Sequence, residues 1–440
     1  MKAPQTNAPR STAPLRIAIA GLGTVGAGVV KLLQTHAGDL ARRCGRPIEI
    51  VAVSARNRGR DRGIDLSHYR WHDDPLALAG LAEVDVVVEL IGGSEGPARK
   101  LLEAAIAGGK HVVSANKALL AHHGAALAQA AEAKGVSLGY EAAVAGGIPI
   151  IKTLREGLAA NRIERIYGIL NGTCNYILTT MRQTRREFAD VLADAQRLGY
   201  AEADPSFDVD GVDAAHKLAI LAGLAFGCEV DIGHVHVEGI RNVSAVDIAF
   251  AEELGFRIKL LGIARLTEHG IEQRVHACMV PLGTPIAHVE GVFNAVVTEG
   301  DFVGQNLCQG RGAGAGPTAS AVVADLIDIA RGRSQPTFGL PAGELKKLAA
   351  SPMARHRGAY YIRLMVVDKP GVIADVTAAL RDEEVSLESM LQRARSPGEP
   401  VPVVLTTHDS EEAAMRRALD RIAALGSVVE PPHVIRIESL

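Results

Sequence analysis

The 440-residue sequence is poor in the features that would commit a chain to a membrane, an oxidising compartment or a nucleic acid. Its five cysteines (Cys44, Cys174, Cys228, Cys278, Cys308) are odd in number, far apart and never form a CxxC pair. That argues against a disulfide framework or structural zinc and for a reducing compartment. Hydrophobic residues make up 48% of the chain, yet no uninterrupted apolar run approaches the roughly 20 residues of a spanning helix. Formal charge is nearly balanced at -3, aromatics are scarce at 4%, and no Lys/Arg stripe is interleaved with them. Neither nucleic acid nor an anionic membrane is therefore an expected partner. The opening MKAPQTNAPRSTAPL is polar and proline-rich without an apolar core, so residues 1–14 read as a loose tail and the expected location is the cytoplasm.

What is present is a clear alternation. The apolar runs LRIAIA, IEIVAVS, VDVVVEL and KHVVSA are separated by Ala/Leu-rich helical patterns. Short buried strands alternating with helices predict an α/β fold, with a doubly wound parallel sheet over residues 15–140. Residues 141–335 change to longer helices and mixed strands, an α+β domain whose last helix, about 317–332 after Pro317, is expected to pack back on the first domain. Residues 336–356 carry Pro, Gly and Ala without a period and read as a linker. Residues 357–440 read strand, helix, strand, strand, helix, strand, a βαββαβ module.

LRIAIA runs directly into GLGTVGAGVVKLLQ, so Gly21, Gly23 and Gly26 follow a strand and open a helix, the context a dinucleotide turn requires. Gly21 permits the tight turn, Gly23 lets backbone approach a pyrophosphate, and Gly26 lets helix and strand pack closely. The amides of Thr24 and Val25 then face the phosphates. At the end of the second strand, VAVSARNRGR offers Ser54, Arg56 and Arg58 and no acid until Asp61. Arginines suit a 2′-phosphate, so NADP is expected ahead of NAD; solvated arginines on a loop are the plainer alternative.

The stretch GYAEADPSFDVDGVDAAHKLAILAG, residues 199–223, packs five carboxylates ahead of Lys217. Asp213 and Lys217 lie four apart, so a helix there puts them on one face, and spacing alone favours an ordinary surface ion pair. Asp204, before Pro205, and Asp210 read as turn and capping residues. Lys117 sits where KHVVSA leaves the sheet, at the carboxyl edge where such folds bind ligands; a surface lysine opening a helix is its bland reading. In NGTCNYILT, Cys174 admits a thioester-forming nucleophile, as in a phosphorylating semialdehyde dehydrogenase. Asn171, Gly172, Thr173 and Asn175 look instead like a polar loop that positions substrate, with Cys174 a small buried residue. The histidines, His122, His123 and His216 among them, lack metal-ligand spacing.

Together GLGTVG, ELIGG at 89–93, GKHVVSANKALLA at 109–121, YEAAVAGGIPII at 140–151, GILNGTCNYILT at 168–179 and the acidic stretch resemble homoserine dehydrogenase over almost the whole chain. The C-terminal module resembles an ACT domain, and with no kinase segment the resemblance is to the monofunctional bacterial form. It implies NAD(P)-dependent interconversion of L-homoserine and L-aspartate 4-semialdehyde, toward threonine, methionine and isoleucine, in a homodimer or homotetramer built through the substrate domain. It places the substrate-site lysine and aspartate on Lys217 and Asp213, and Lys117 near nicotinamide and substrate. Glu202 becomes the contact to the substrate ammonium and hydroxyl, and Asp208 a second substrate-side acid. Ser114 and Asn116 would line the cofactor side, and Gly316 in GAGAGP would close over the nicotinamide end. A sodium site falls on Glu141 with the carbonyls of Val144, Gly146 and Ile148. The turn from Asp368 to Gly371 would bind a small amino acid, with threonine the expected feedback inhibitor. A noncatalytic amino-acid sensor is the rival from another class, and the presence of both lysines argues against it.

Overall fold

In the computed structural model, which describes residues 12–393, 396 and 398–440, the chain divides into two compact units. The first takes residues up to 172 with 215–235 and 293–348; the second takes 173–214, 236–292 and 349–440. Most of the expected tail, residues 1–11, lies outside the described residues.

The first unit is organised by six strands paired wholly in parallel, in the order Arg70–His72, Ile48–Ser54, Leu15–Ala20, Val86–Glu89, His111–Ser114, Leu138–Gly139. Runs such as VVVE and HVVS are apolar on both faces because helices cover both faces. Strand order reverses at Leu15–Ala20, so the carboxyl ends around that strand form the crevice where doubly wound sheets take ligands. Helix Ala315–Ala330 packs on helix Thr24–Thr35, with Ala319, Val322 and Leu326 sharing one core with Val29, Val30 and Leu33. It starts at Ala315, two residues before the expected start, because Pro317 is tolerated within a first turn. Strands Ile163–Ile169, Phe293–Gly300 and Gly304–Arg311 pair antiparallel in the same unit.

The stretch expected as a linker is packed. Phe338 is buried against Tyr140, with ring centroids 5.5 Å apart, and the Tyr140 hydroxyl donates to the Thr337 carbonyl at 2.9 Å. Apolar Phe338 stands in no period that marks it as an anchor, which is why composition alone reads as spacer.

In the second unit, strands Phe256–Thr267 and Gly270–Pro281 form a long hairpin. The C-terminal module has strands Arg357–Val367, Leu387–Gln392, Pro400–Thr407 and His433–Ile437, with helices Val372–Asp382 and Glu412–Ala423 packed on its apolar face. The module's sheet does not stop at its own edge. Its last strand pairs in parallel with the hairpin, Cys278 opposite Arg436 and Met279 opposite Ile437. Two buried arginines hold that seam. Arg274 donates to Glu272 at 3.1 Å and to Glu438 at 2.9 Å; Arg436 donates to Glu412 at 2.7 Å and to Glu238 at 2.8 Å. Removing one cation from such a cluster leaves buried carboxylates unpaired, at a cost of about 3–5 kcal/mol. Arg436→Met should therefore lower the urea midpoint steeply, by far more than Arg416→Met at the exposed end of the same Glu412 contact; equal effects would contradict it.

Candidate active site

The glycine turn shows a separate physical reason for each glycine. Gly21 has φ +102°, and a Cβ there would lie 2.4 Å from the Leu90 carbonyl oxygen. A Cβ on Gly26 would lie 2.0 Å from the Gly21 carbonyl oxygen, so strand and helix could not close on each other. A Cβ on Gly23 would meet nothing within 4 Å. The fold does not need glycine at 23, whereas a phosphate group arriving over the helix N-terminus, beside Thr24 and Val25, does.

This turn borders a cavity of about 400 Å³, reached also by Ser54, Ala55, Asn57, Asp73 and Pro75. Its size and its mixed lining fit a cofactor. Of the two arginines read from the sequence, Arg56 lines it, while Arg58 lies over the Trp71 ring, 6.0 Å from the centroid. Arg60 and Arg62 line it too and were missed. Arg62 donates to the carbonyls of Leu22 (3.0 Å), Arg60 (2.7 Å) and Asn57 (2.5 Å) and also stacks over Trp71, tying the arginine loop to the glycine turn. RNRGRDR gives no local sign of which arginine folds inward; the Leu22 carbonyl that anchors Arg62 is 40 residues away in the chain. Asp73, an acid that lines the cavity from beyond the second strand, accepts from the Trp71 indole at 2.9 Å.

At the carboxyl edge of the sheet, Ser114 is spent on a protein partner. It is fully buried, and its hydroxyl donates to the Glu89 carboxylate at 2.6 Å. Glu89, also buried, accepts from the amides of Ile91 (2.7 Å) and Gly92 (3.0 Å), which shapes the ELIGG turn. Asn116 caps the helix Lys117–Lys134 by accepting from the Leu119 amide at 3.1 Å, and donates to the Gly93 carbonyl at 2.7 Å. Lys117 is thereby placed, half-buried, on the first residue of that helix. Glu89 is the organising residue here, and its burial among VVVE strand residues was its only sequence signal.

Helix Val212–Phe226 carries Asp213 and Lys217 one turn apart, and both are buried. This is not the exposed pair that spacing alone favours. Lys217 Nζ donates to the Leu170 carbonyl at 2.7 Å, at the start of the segment that continues into Asn171 and Gly172. His216 is buried beside His122, with ring centroids 5.4 Å apart. Gly316 lies exposed within helix Ala315–Ala330 instead of in a loop.

In the second unit Glu202 is exposed and Asp208 half-buried on the short helix Ser206–Val209. Asp204 accepts from the Ser206 amide at 3.1 Å, a turn contact, whereas Asp210 pairs with Arg241 and not with a helix end. Thr173 Oγ1 donates to the Tyr200 carbonyl at 2.8 Å. Cys174 is 0% exposed, and its Sγ donates to the Asp208 carbonyl at 3.2 Å. Lys259, unnoticed in the sequence, is buried and donates to Asn175 Oδ1 at 3.1 Å and to the Val289 carbonyl at 2.5 Å; burial lowers its pKa to about 8.

Glu141 is buried, and its carboxylate accepts the amides of Ile151 and Lys152, each at 2.9 Å. Its own amide donates to Asp325 Oδ2 at 2.9 Å. Burial pushes the Glu141 carboxyl up to about 7 and that of Asp325 to about 6, even with the Lys152 charge nearby. Ala145, between Val144 and Gly146, is forced to φ +52°, a strained turn of the kind that redirects carbonyls. A monovalent cation fits that donor set. In the C-terminal module Asp368 accepts from the Ser396 amide at 2.8 Å, and Gly371 (φ +96°) precedes helix Val372–Asp382.

Comparison with known proteins places these segments in order. Residues 21–141 match the homoserine dehydrogenase NAD-binding domain, 149–327 the homoserine dehydrogenase family, and 360–425 the ACT domain. A homoserine dehydrogenase of Neisseria gonorrhoeae is 46% identical over 433 residues, covering 97% of this chain and 99% of that protein. The crystal structure of a homoserine dehydrogenase from Thiobacillus denitrificans superposes with a TM-score of 0.92 at 47% identity, over 97% of this chain and 98% of that one. A hyperthermophilic archaeal homoserine dehydrogenase solved in complex with NADPH gives a TM-score of 0.62 at 25% identity, over 72% of this chain and 97% of that one.

The glycine geometry separates folding from binding. Gly23→Ala should melt within a degree or two of wild type yet lose most of its affinity for NAD(P)H, followed by nicotinamide fluorescence, whereas Gly26→Ala should lose thermal stability as well. A Gly23→Ala protein that binds the dinucleotide normally would contradict the assignment.

Proposed function

The chain belongs to the homoserine dehydrogenase family, and from that premise we propose that it reduces L-aspartate 4-semialdehyde to L-homoserine, and the reverse, with NADP as the preferred cofactor. The observation that carries this reading is the buried Lys217 ammonium, held on the Leu170 carbonyl one turn from Asp213.

A bound nicotinamide supplies the hydride; the protein must supply orientation, charge and a proton. Gly21, Gly23 and Gly26, with the amides of Thr24 and Val25, would hold the pyrophosphate. Arg56 and Arg60 would meet a 2′-phosphate, with Arg62 fixing their loop. Lys217 and Lys117 together serve the proton step, polarising the carbonyl oxygen and donating to it as charge develops there. Asp213 balances the Lys217 charge. Glu202 takes the substrate ammonium and Asp208 a second polar group, while Asn171, Gly172 and Thr173 orient the chain between them. A monovalent cation, sodium by expectation, sits on Glu141 with the carbonyls of Val144, Gly146 and Ile148 and stiffens that turn. Threonine at the Asp368–Gly371 turn would be the inhibitor, and the assembly a homodimer or homotetramer.

The thioester alternative asks for an accessible thiolate. Cys174 is sealed from solvent with its proton on a backbone carbonyl, which disfavours it.

Two measurements follow. Lys217→Ala and Lys117→Ala should each lower kcat for NADPH oxidation by about 10²–10⁴-fold, while Cys174→Ala stays active; retained turnover in both lysine variants would contradict the proton assignment. Arg62→Ala should raise KM for NADPH far more than KM for NADH at little change in kcat. An unchanged ratio would remove Arg62 from cofactor selection.

A further inference from the structure

A second polar cavity, of about 470 Å³, lies in the other unit, between the strand His433–Ile437 of the C-terminal module and the segment 238–243. It is lined by both signs of charge. Asp210 and Glu238 bring carboxylates; Arg241 and Asn242 bring donors, while the His433 ring that also lines it is held by Asp247 at 3.1 Å. Glu238 is fixed in position by Arg436 (2.8 Å) and His236 (2.7 Å). Arg241 spends its Nε and NH2 edge on Asp210 and on Ser206 Oγ, leaving NH1 without a protein partner among the described residues. The Asn242 amide is exposed and likewise has none there. A balanced set of acids and donors suits a zwitterion, whose carboxylate would meet Arg241 and Asn242 and whose ammonium would meet Glu238.

The wall of this cavity is also locked to the acidic stretch. A Cβ on Gly239 would lie 2.2 Å from the Val209 carbonyl oxygen and 2.6 Å from the Asp210 Cα, so the two backbones are in direct contact. Ile240 N donates to the Val209 carbonyl at 2.9 Å. Asp208 is the next residue back along the chain, on the same short helix as Val209. A ligand that moves segment 238–241 must move the turn that carries Asp208.

We propose that this cavity binds a free α-amino acid, at a site separate from the Asp368–Gly371 turn, and that its occupancy changes the placement of Asp208. Binding stands on the cavity alone; the kinetic effect rests on Asp208 being a substrate-side acid.

Calorimetric titration of the full-length protein with each proteinogenic L-α-amino acid, and with the carboxamide of any that binds, tests it. The expected result is binding by at least one amino acid, loss of that binding for its carboxamide, and a Kd raised at least about tenfold by Asn242→Ala and by Arg241→Gln, but not by Asp368→Ala. At saturation, KM for L-aspartate 4-semialdehyde should rise. The proposal falls if no amino acid binds, if the carboxamide binds equally well, or if every amino acid that binds loses its binding in Asp368→Ala and keeps it in both cavity variants. Binding with an unchanged KM overturns the coupling to Asp208. A wild type that does not turn over the semialdehyde at all sinks the proposed function instead, while the titration still decides the site.

Discussion

A buried ammonium on an apolar helix is the constraint from which the site follows. Lys217 is followed by Leu218, Ala219, Ile220 and Leu221, each at most 1% exposed, so its charged end has little access to water. Such a group persists only where the fold supplies acceptors and opposite charge. The Leu170 carbonyl is one acceptor, and taking it fixes the helix to the end of strand Ile163–Ile169, where the chain enters Asn171 and Gly172. The same contact that makes the lysine tolerable therefore places it beside Asn171 and Gly172, to which the proposed function assigns the substrate. Charge placed in a dry, preorganised setting is worth more to a developing oxyanion than the same charge in water.

The dinucleotide half obeys a different constraint, close approach of backbone to backbone. Gly21 and Gly26 are required by the strand–helix junction itself, whereas Gly23 is left open by it. Glu89 performs the equivalent task at the neighbouring strand ends, collecting Ser114 and the Ile91 and Gly92 amides and so setting the turn ahead of Lys117. Arg62 does so for the arginine loop. In both cases a turn at the candidate site is held by a side chain whose polar atoms are spent mainly on backbone.

Features set by short periods were legible in the sequence: the doubly wound order, the glycine turn, the βαββαβ module and the shared face of Asp213 and Lys217. Burial was not. Spacing alone made Lys217 and Asp213 a surface pair, and both are inside; nothing in the sequence showed that the Ser114 hydroxyl is held by Glu89. Residues whose role depends on a distant partner were invisible, as with Arg62 on the Leu22 carbonyl or Phe338 on Tyr140. The seam between the C-terminal module and the hairpin was missed for the same reason, since Arg274 and Arg436 look like ordinary strand charges until Glu438, Glu412 and Glu238 surround them.

The most direct test of the central claim is product stoichiometry. Purified protein with NADPH and L-aspartate 4-semialdehyde in phosphate-free buffer should form L-homoserine one-for-one with NADPH oxidised. Absence of homoserine, or a reaction that runs only oxidatively with phosphate to give an acyl phosphate, would contradict carbonyl reduction.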